Sequence, residues 1–173
     1  SYKEIYSALY ALGYGAENAG FVFAICNSLI VSSCILPNYA TDVQKETFLV
    51  PLLNGDSIGA YAITEPEHGS DVFSMETTIE VQQDRIILNG LKSYISNAPV
   101  ADLFIVVGRN TDSVDKYTVV IVKRNDLGVT VKKEIHKMGL ESCPMGEISF
   151  EKVSLPLSRI IGGAGNGFLI SNA

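Results

Sequence analysis

Between Tyr61 and Asp71 the chain reads Tyr61-Ala62-Ile63-Thr64-Glu65-Pro66-Glu67-His68-Gly69-Ser70-Asp71, its richest run of groups suited to meeting a ligand. A strand of small and apolar residues runs into a threonine, a proline-fixed turn and a Gly-Ser-Asp step. Such a step frees several backbone N–H groups from a ladder and aims them, with two hydroxyls, at one place. A large planar ligand with a polar edge, or a phosphate, suits those donors, although ordinary surface turns draw on the same residue types. Glu65 and Glu67 invite assignment as a general base. A base must come within hydrogen-bond reach of the proton it removes, and closeness in sequence to a ligand loop does not supply that. Gly162, Gly163, Gly165 and Gly167 are spaced wrongly for a dinucleotide fingerprint or a Walker loop, which argues against a nucleotide-binding α/β domain. Cys26, Cys34 and Cys143 form no CxxC, and His68 and His136 are the only histidines, so no metal site or disulfide framework is indicated. Buried free thiols in a reducing, intracellular setting fit this usage.

The elements that must position these residues follow from periodicity. Residues 1–55 read as helical. Tyr2, Ile5, Tyr6, Leu9 and Leu12 fall on one stripe of a helix ending near Gly13 or Gly15. Glu17 to Leu36 is apolar nearly all round, as in a helix enclosed by others. It approaches membrane-span length, but Glu17 and Asn18 precede it, Pro37 and Asn38 close it, and no cationic leader stands before it, so a buried helix is expected rather than a transmembrane segment. Thr41 and Gln44 form a capping box for a third helix, with Val43, Phe48 and Leu52 inward and termination at Asn54-Gly55.

After Gly55 the period becomes strand-like. Ser57 to Thr64 carries the first strand, and Thr77, Ile79 and Val81 alternate with polar neighbours. Asp84-Arg85 and then Asn89-Gly90 are read as tight turns around Ile86 to Leu88. Leu91 to Ser96, Leu103 to Gly108, Tyr117 to Val122, Val129 to Lys132 and Glu147 to Phe150 supply further strands, with Arg109 to Lys116 a solvent loop closing a hairpin. Many short strands without crossover helices predict an α+β chain: a helical segment, then an antiparallel sandwich or barrel-like domain. Lys92 is expected at a solvated strand edge and His68 at the surface.

The chain has 173 residues, 47% hydrophobic and 18% charged, enough for one substantial core or a small domain attached to part of another. Its net charge of −6, with no concentrated run of Lys or Arg, makes nucleic acid an improbable partner. Ser1 is not an initiator, and Gly165 to Ile170 looks like the opening of a further helix, so more sequence is expected downstream and upstream.

Three linked motifs then give a resemblance. Leu52-Leu53-Asn54-Gly55-Asp56-Ser57-Ile58-Gly59-Ala60-Tyr61-Ala62-Ile63-Thr64-Glu65-Pro66 with Gly69-Ser70-Asp71 resembles the signature of the acyl-CoA dehydrogenase family. Asn89 to Ala98 (Asn-Gly-Leu-Lys-Ser-Tyr-Ile-Ser-Asn-Ala) is similar to its second motif, and Lys137 to Leu140 with Gly146 to Pro156 to its third. The resemblance implies a longer enzyme in three parts, of which residues 1–55 would end the N-terminal helical domain, 56–159 form the middle β-domain and 160–173 begin a C-terminal helical bundle otherwise missing here. It implies FAD in a cleft among the β-domain, the C-terminal helices and a neighbouring subunit of a homo-oligomer. Tyr61, Ile63 and Thr64 would line the isoalloxazine ring, and Ser70 would contact the thioester-bearing arm of the substrate. Tyr94 stands where the family usually has a tryptophan packed on the flavin, and Ser96 where it has a threonine near the reactive nitrogen. Both exchanges keep the interaction while shrinking it.

The implied reaction is α,β-dehydrogenation of an acyl thioester, carried by acyl-CoA or an acyl-carrier protein, with an electron-transfer flavoprotein or oxygen as acceptor. A flavin oxidase of the same fold and a non-catalytic scaffold are the alternatives. The family's base comes from the absent bundle, and Glu65 is ordinarily structural. The implied location is the cytoplasm, or the mitochondrial matrix in a eukaryote. Glu141 and Cys143-Pro144-Met145 depart from the usual pattern. Asn27 and Ser32 would face the acyl pocket or else bond to a preceding carbonyl. Lys132 to Lys137 forms a basic patch that is solvated or meets phosphates or an acidic carrier helix.

Overall fold

The computed structural model describes residues 2–112 and 116–171. Three helices lead: α1 (Tyr2–Gly15), α2 (Ala19–Tyr39) and α3 (42–54). The capping box forms as predicted, with Thr41 Oγ1 accepting the Gln44 N–H at 3.2 Å and Gln44 Oε1 accepting the Thr41 N–H at 2.8 Å. The Gln44 amide also donates to the carbonyls of Ser158 and Ile160, at 2.7 and 2.8 Å, which ties the start of α3 to the edge of the sheet. Gly55 ends α3 with φ 80, a left-handed cap that glycine adopts without steric cost.

The helix expected to end near Gly13 or Gly15 forms as α1; on its stripe Ile5, Leu9 and Leu12 are half-buried and Tyr6 is 70% exposed. Two expectations about helix faces fail. On α2, Val31, Ser32, Ile35 and Leu36 are buried against the sheet while Phe21, Phe23 and Ile30 stay exposed, so among the described residues the helix is covered on one side rather than enclosed. On α3, Phe48 and Leu49 point inward, yet Val43 is 74% exposed. Val43 and Phe48 are five residues apart, which on an α-helix is about 140° around the axis, so the two do not share a face; a π-helical turn spans Lys45–Leu49. A second π-helical turn, Ile30–Ile35, carries the buried part of α2.

The strands are β1 (Gly59–Ala62), β2 (Thr78–Val81), β3 (Arg85–Ser96), β4 (Leu103–Asn110), β5 (Tyr117–Lys123), β6 (Val129–Glu134), β7 (Met145–Pro156) and β8 (Ile160–Ile161), followed by the short helix α4 (Gly167–Ser171). They form one sheet in the order β6-β7-β3-β2-β4-β5-β8, with β1 added beside β4. The sheet is mixed rather than purely antiparallel, because β1 and β2 both run parallel to β4. The β4–β5 hairpin is present, and the tip of its loop, residues 113–115, lies outside the described residues.

Alternation along the central strands separates two cores. Phe104 and Val106 of β4 and Val120 and Val122 of β5 join Ala60, Ala62, Ile86, Leu88, Ile95 and Phe150 on one side. Ile105, Val107, Val119 and Ile121 face the other way and meet Val31, Leu36 and Phe48 from the helices. Each fully buried aliphatic or aromatic side chain contributes about 1.5–3 kcal/mol, so the register that sorts these residues is strongly specified.

Asn89-Gly90 is not a turn. β3 runs straight through it, and the irregularity is a bulge in which β7 carries an extra residue between the partners of Leu88 and Gly90. Asn89 Oδ1 accepts the Lys152 N–H of that bulge at 2.8 Å. Gly90 is required by proximity: with φ 148, a Cβ there would sit 2.4 Å from Thr77 Oγ1 and 2.7 Å from its Cα.

Candidate functional site

The sheet divides where the candidate residues gather. β1 and β2 succeed one another along the same edge of β4, Gly59 to Ala62 against Leu103 to Val106 and then Thr78-Ile79 against Arg109-Asn110. Residues 63–77 leave the sheet between them. β3 pairs with β2 through Ile86 to Asn89 and then continues past the end of β1. A single backbone bond crosses there, from the Ser93 N–H to the Thr64 carbonyl at 2.9 Å.

Lys92 completes the junction. Its Nζ donates to the Ile63 carbonyl at 2.8 Å and to Glu65 Oε1 at 2.9 Å, and its side chain is fully buried. The expectation of a solvated strand edge is therefore wrong. Where β1 and β3 part, the Ile63 carbonyl lies beyond the last ladder pairing, and a buried carbonyl must find a donor. Lys92 provides one.

Glu65 is nearly as buried as Lys92, at 3% exposure. Besides Lys92 it accepts the N–H of Glu76 at 2.6 Å and of Thr77 at 2.9 Å. Burial alone would raise its pKa, but the Lys92 ammonium and the bonds from Thr77 and Glu76 together hold it below the ordinary carboxylate value. Burial pulls Lys92 down from 10.5 to about 8 against the opposing pull of Glu65, so both groups are charged at neutral pH. A carboxylate so engaged is a fastener, which agrees with the structural role the family resemblance gives Glu65. Two reciprocal backbone bonds, 3.2 and 3.3 Å, close the turn from Glu65 to His68. His68 is half-buried, 3.9 Å from Glu76, and Glu67 is exposed.

In front of this fastener lies an open face. Ala60 and Ala62 of β1 and Ile95 of β3 belong to the first core, so Tyr61, Ile63, Tyr94 and Ser96 alternate away from it. Tyr61 and Ile63 pack half-buried against the second core. A bulge on β3 between Lys92 and Ile95, where Ser93 and Tyr94 stand against the single Glu147 of β7, redirects Tyr94 outward. Tyr94 has φ 57 and is 55% exposed. An aromatic residue in that left-handed conformation costs about 1–2 kcal/mol, a strain that tends to persist at ligand sites. Among the described residues the hydroxyls of Thr64, Tyr94 and Ser96 have no hydrogen-bond partner. The junction thus brings Thr64 to the backbone of Ser93, next to Tyr94. An outward aromatic ring and uncommitted hydroxyls are the donor set that a flat, polar-edged ligand needs. Ser70 is exposed beyond the turn, without a side-chain hydrogen bond among the described residues. An apolar recess of about 180 Å³ opens beside Ile63, lined by Val72, Phe73, Met75, Val107, Tyr117 and Phe168. A larger cleft, about 690 Å³ around Thr41, Phe48 and Arg159, touches none of the candidate residues.

Other candidates resolve individually. Asn27 Nδ2 donates to the Phe23 carbonyl at 2.8 Å and Ser32 Oγ to the Ser28 carbonyl at 3.3 Å, the preceding-carbonyl alternative in both cases. Cys143 is buried, but Cys26 and Cys34 are only half-buried because α2 is covered on one side. In the basic patch His136 is exposed, and Lys137 is committed to the Cys143 carbonyl at 2.6 Å. Sequence reasoning missed Asn97, which is buried with φ 65, donates from Nδ2 to the Ala24 carbonyl at 2.8 Å and from its N–H to Pro144 at 2.7 Å. It pins the end of β3 to α2 and to the 141–145 loop. An asparagine directly after a strand is the signal that was available, since Asn tolerates this backbone region.

The sequence profile of the acyl-CoA dehydrogenase middle domain matches residues 60–153, more than half of the chain. The chain belongs to the acyl-CoA dehydrogenase family. It is 35% identical over 161 residues to an L-prolyl-[peptidyl-carrier protein] dehydrogenase from Serratia sp., covering 91% of this chain and 41% of that protein. It superimposes on the FAD complex of PigA with TM-score 0.88 and 33% identity, covering 95% of this chain and 43% of that one. On butyryl-CoA dehydrogenase from Megasphaera elsdenii the TM-score is 0.83 at 33% identity, covering 89% and 41%. The chain therefore spans about two-fifths of the length of each of these relatives.

Proposed function

We propose that this chain supplies the flavin-holding face of an FAD-dependent enzyme that dehydrogenates an acyl thioester. The observation that carries the reading is the Thr64–Ser93 junction, which sets the turn after β1 beside a strand whose bulge turns Tyr94 outward. Tyr94 would pack on the ring, Tyr61 and Ile63 would form its apolar border, and the hydroxyls of Thr64 and Ser96 would bond its polar edge. Bound FAD supplies the two-electron acceptor. Ser70, on the exposed turn, would meet the thioester arm, and a developing negative charge at the thioester carbonyl would be stabilised by fixed donors.

No carboxylate of this face is assigned as the base, because Glu65 is fully engaged by Lys92 and two amides. Residues 1–55, 56–159 and 160–173 are assigned to the end of a helical domain, the β-domain and the start of a C-terminal bundle. The substrate carrier is coenzyme A or a carrier protein, the acceptor an electron-transfer flavoprotein or oxygen, and the assembly a homo-oligomer. Likeness to both a carrier-protein dehydrogenase and a butyryl-CoA dehydrogenase supports the thioester class.

The test uses the full-length polypeptide. Its yellow flavin absorbance should bleach on adding an acyl thioester. Recolouring in air with peroxide formed would identify an oxidase, and failure of acyl-CoA and acyl-carrier thioesters alike to bleach it would leave a non-catalytic relative.

A further inference from the structure

Lys92 and Glu65 form a fully buried ion pair directly behind the open face, and nothing in the proposed reaction uses either charge. Burying two ions is expensive, and a well-packed apolar pair of similar volume is often as stable or more so. A pair of this kind at this place calls for a reason beyond stability. Its connections supply one. The ammonium bonds the carbonyl of Ile63, the residue before Thr64, and the carboxylate is the residue after it. Thr64 is thus fixed on both sides by the same two side chains, and its own carbonyl is taken by the Ser93 N–H. With the Ile63 carbonyl turned to Lys92, the peptide plane between Ile63 and Thr64 is set, because the N–H of that plane points opposite to its carbonyl. Among the described residues that Thr64 N–H and the Thr64 hydroxyl remain without partners.

We propose that Lys92, braced by Glu65, is a positioning residue for the flavin site: by holding the Ile63 carbonyl it fixes the Ile63–Thr64 peptide so that the Thr64 N–H and hydroxyl are presented together to the ring. The proposal rests on the flavin reading given above. It assigns Lys92 no contact with the cofactor.

The full-length protein is compared with Lys92→Met and with the double variant Lys92→Met/Glu65→Gln. The single variant strands a buried carboxylate and is expected to fold poorly. The double variant removes that charge and is expected to regain most of the lost stability, while the Ile63 carbonyl remains without its donor. FAD dissociation constants, the flavin absorption spectrum and apoprotein hydrogen exchange at the Ser93 amide are then measured. In the double variant FAD should bind roughly tenfold or more weakly, with a shifted flavin absorption band and faster exchange at Ser93. A double variant that folds stably and binds FAD within about twofold of wild type, with the same spectrum, overturns the proposal while leaving the flavin reading intact. A wild-type protein that takes up no FAD at all would instead remove the reading on which it rests.

Discussion

Lys92 and Tyr94 are two residues apart on one strand and are treated in opposite ways. Lys92 is fully buried, its charge paired and its hydrogen bonds spent on Ile63 and Glu65. Tyr94 is more than half exposed, sits in a left-handed backbone conformation and has no partner for its hydroxyl among the described residues. A residue pair two apart on a regular strand shares one face. The bulge between Lys92 and Ile95 breaks that rule and lets one strand hold a fastener inward and an exposed ring outward. Strain is concentrated where a ligand would repay it, and the charges of Lys92 and Glu65 that hold the loop are hydrogen-bonded.

The contrast is broken most severely at the buried end. Lys92→Met leaves Glu65 ionised, buried and unpaired, and is expected to cost about 3–5 kcal/mol in denaturant unfolding. A loss under about 1 kcal/mol would mean the pair is hydrated and the fastener account is wrong. Gly90→Ala drives a methyl into Thr77, beside the amide that Glu65 accepts, and should cost about 1–3 kcal/mol.

The exposed end should answer with the opposite sign. Tyr94→Gly relieves the positive φ and gives up little buried area, so the apoprotein should be stabilised by a few tenths to about 1 kcal/mol while FAD binding weakens. Thermal melts with and without FAD separate the two effects, and a destabilised apoprotein would show that Tyr94 is a packing residue.

The smallest effect is on pH dependence. The folded-state pKa of Glu65 is depressed, so its contribution to stability is complete above the unfolded carboxyl value and is lost as pH falls through the folded value. Lys92 is also depressed, from 10.5 to about 8, so between those values the unfolded chain binds the extra proton and stability rises with pH. Comparing wild type with Lys92→Met/Glu65→Gln across the acid limb and between about pH 8 and 10.5 should remove both slopes. Identical profiles would show that neither group titrates with folding.

Much of the scaffold was legible in the sequence. Thr41 and Gln44 announced the third helix, alternation placed the strands, and three motifs in order gave the family. What was not legible involved long-range packing. A lysine between Leu91 and Ser93 reads as solvent-facing, because only the divergence of β1 from β3 makes a buried acceptor for it. Asn89-Gly90 has the composition of a hairpin turn, yet its glycine answers the approach of Thr77. Val43 is apolar, but five residues before Phe48 it stands about 140° away around an α-helix, and it is exposed. The bulge at Tyr94 left no local trace, since a single extra residue is invisible until the partner strand is known. Tyr61, Ile63, Thr64, Tyr94 and Ser96 were named from the motifs, while the device that fixes Thr64 had to be seen in three dimensions.

The most direct test of the flavin face is titration of FAD into full-length apoprotein, wild type against Tyr94→Ala. Loss of the aromatic platform should raise the dissociation constant at least about tenfold with the fold unchanged. An equal dissociation constant in the two proteins would contradict it.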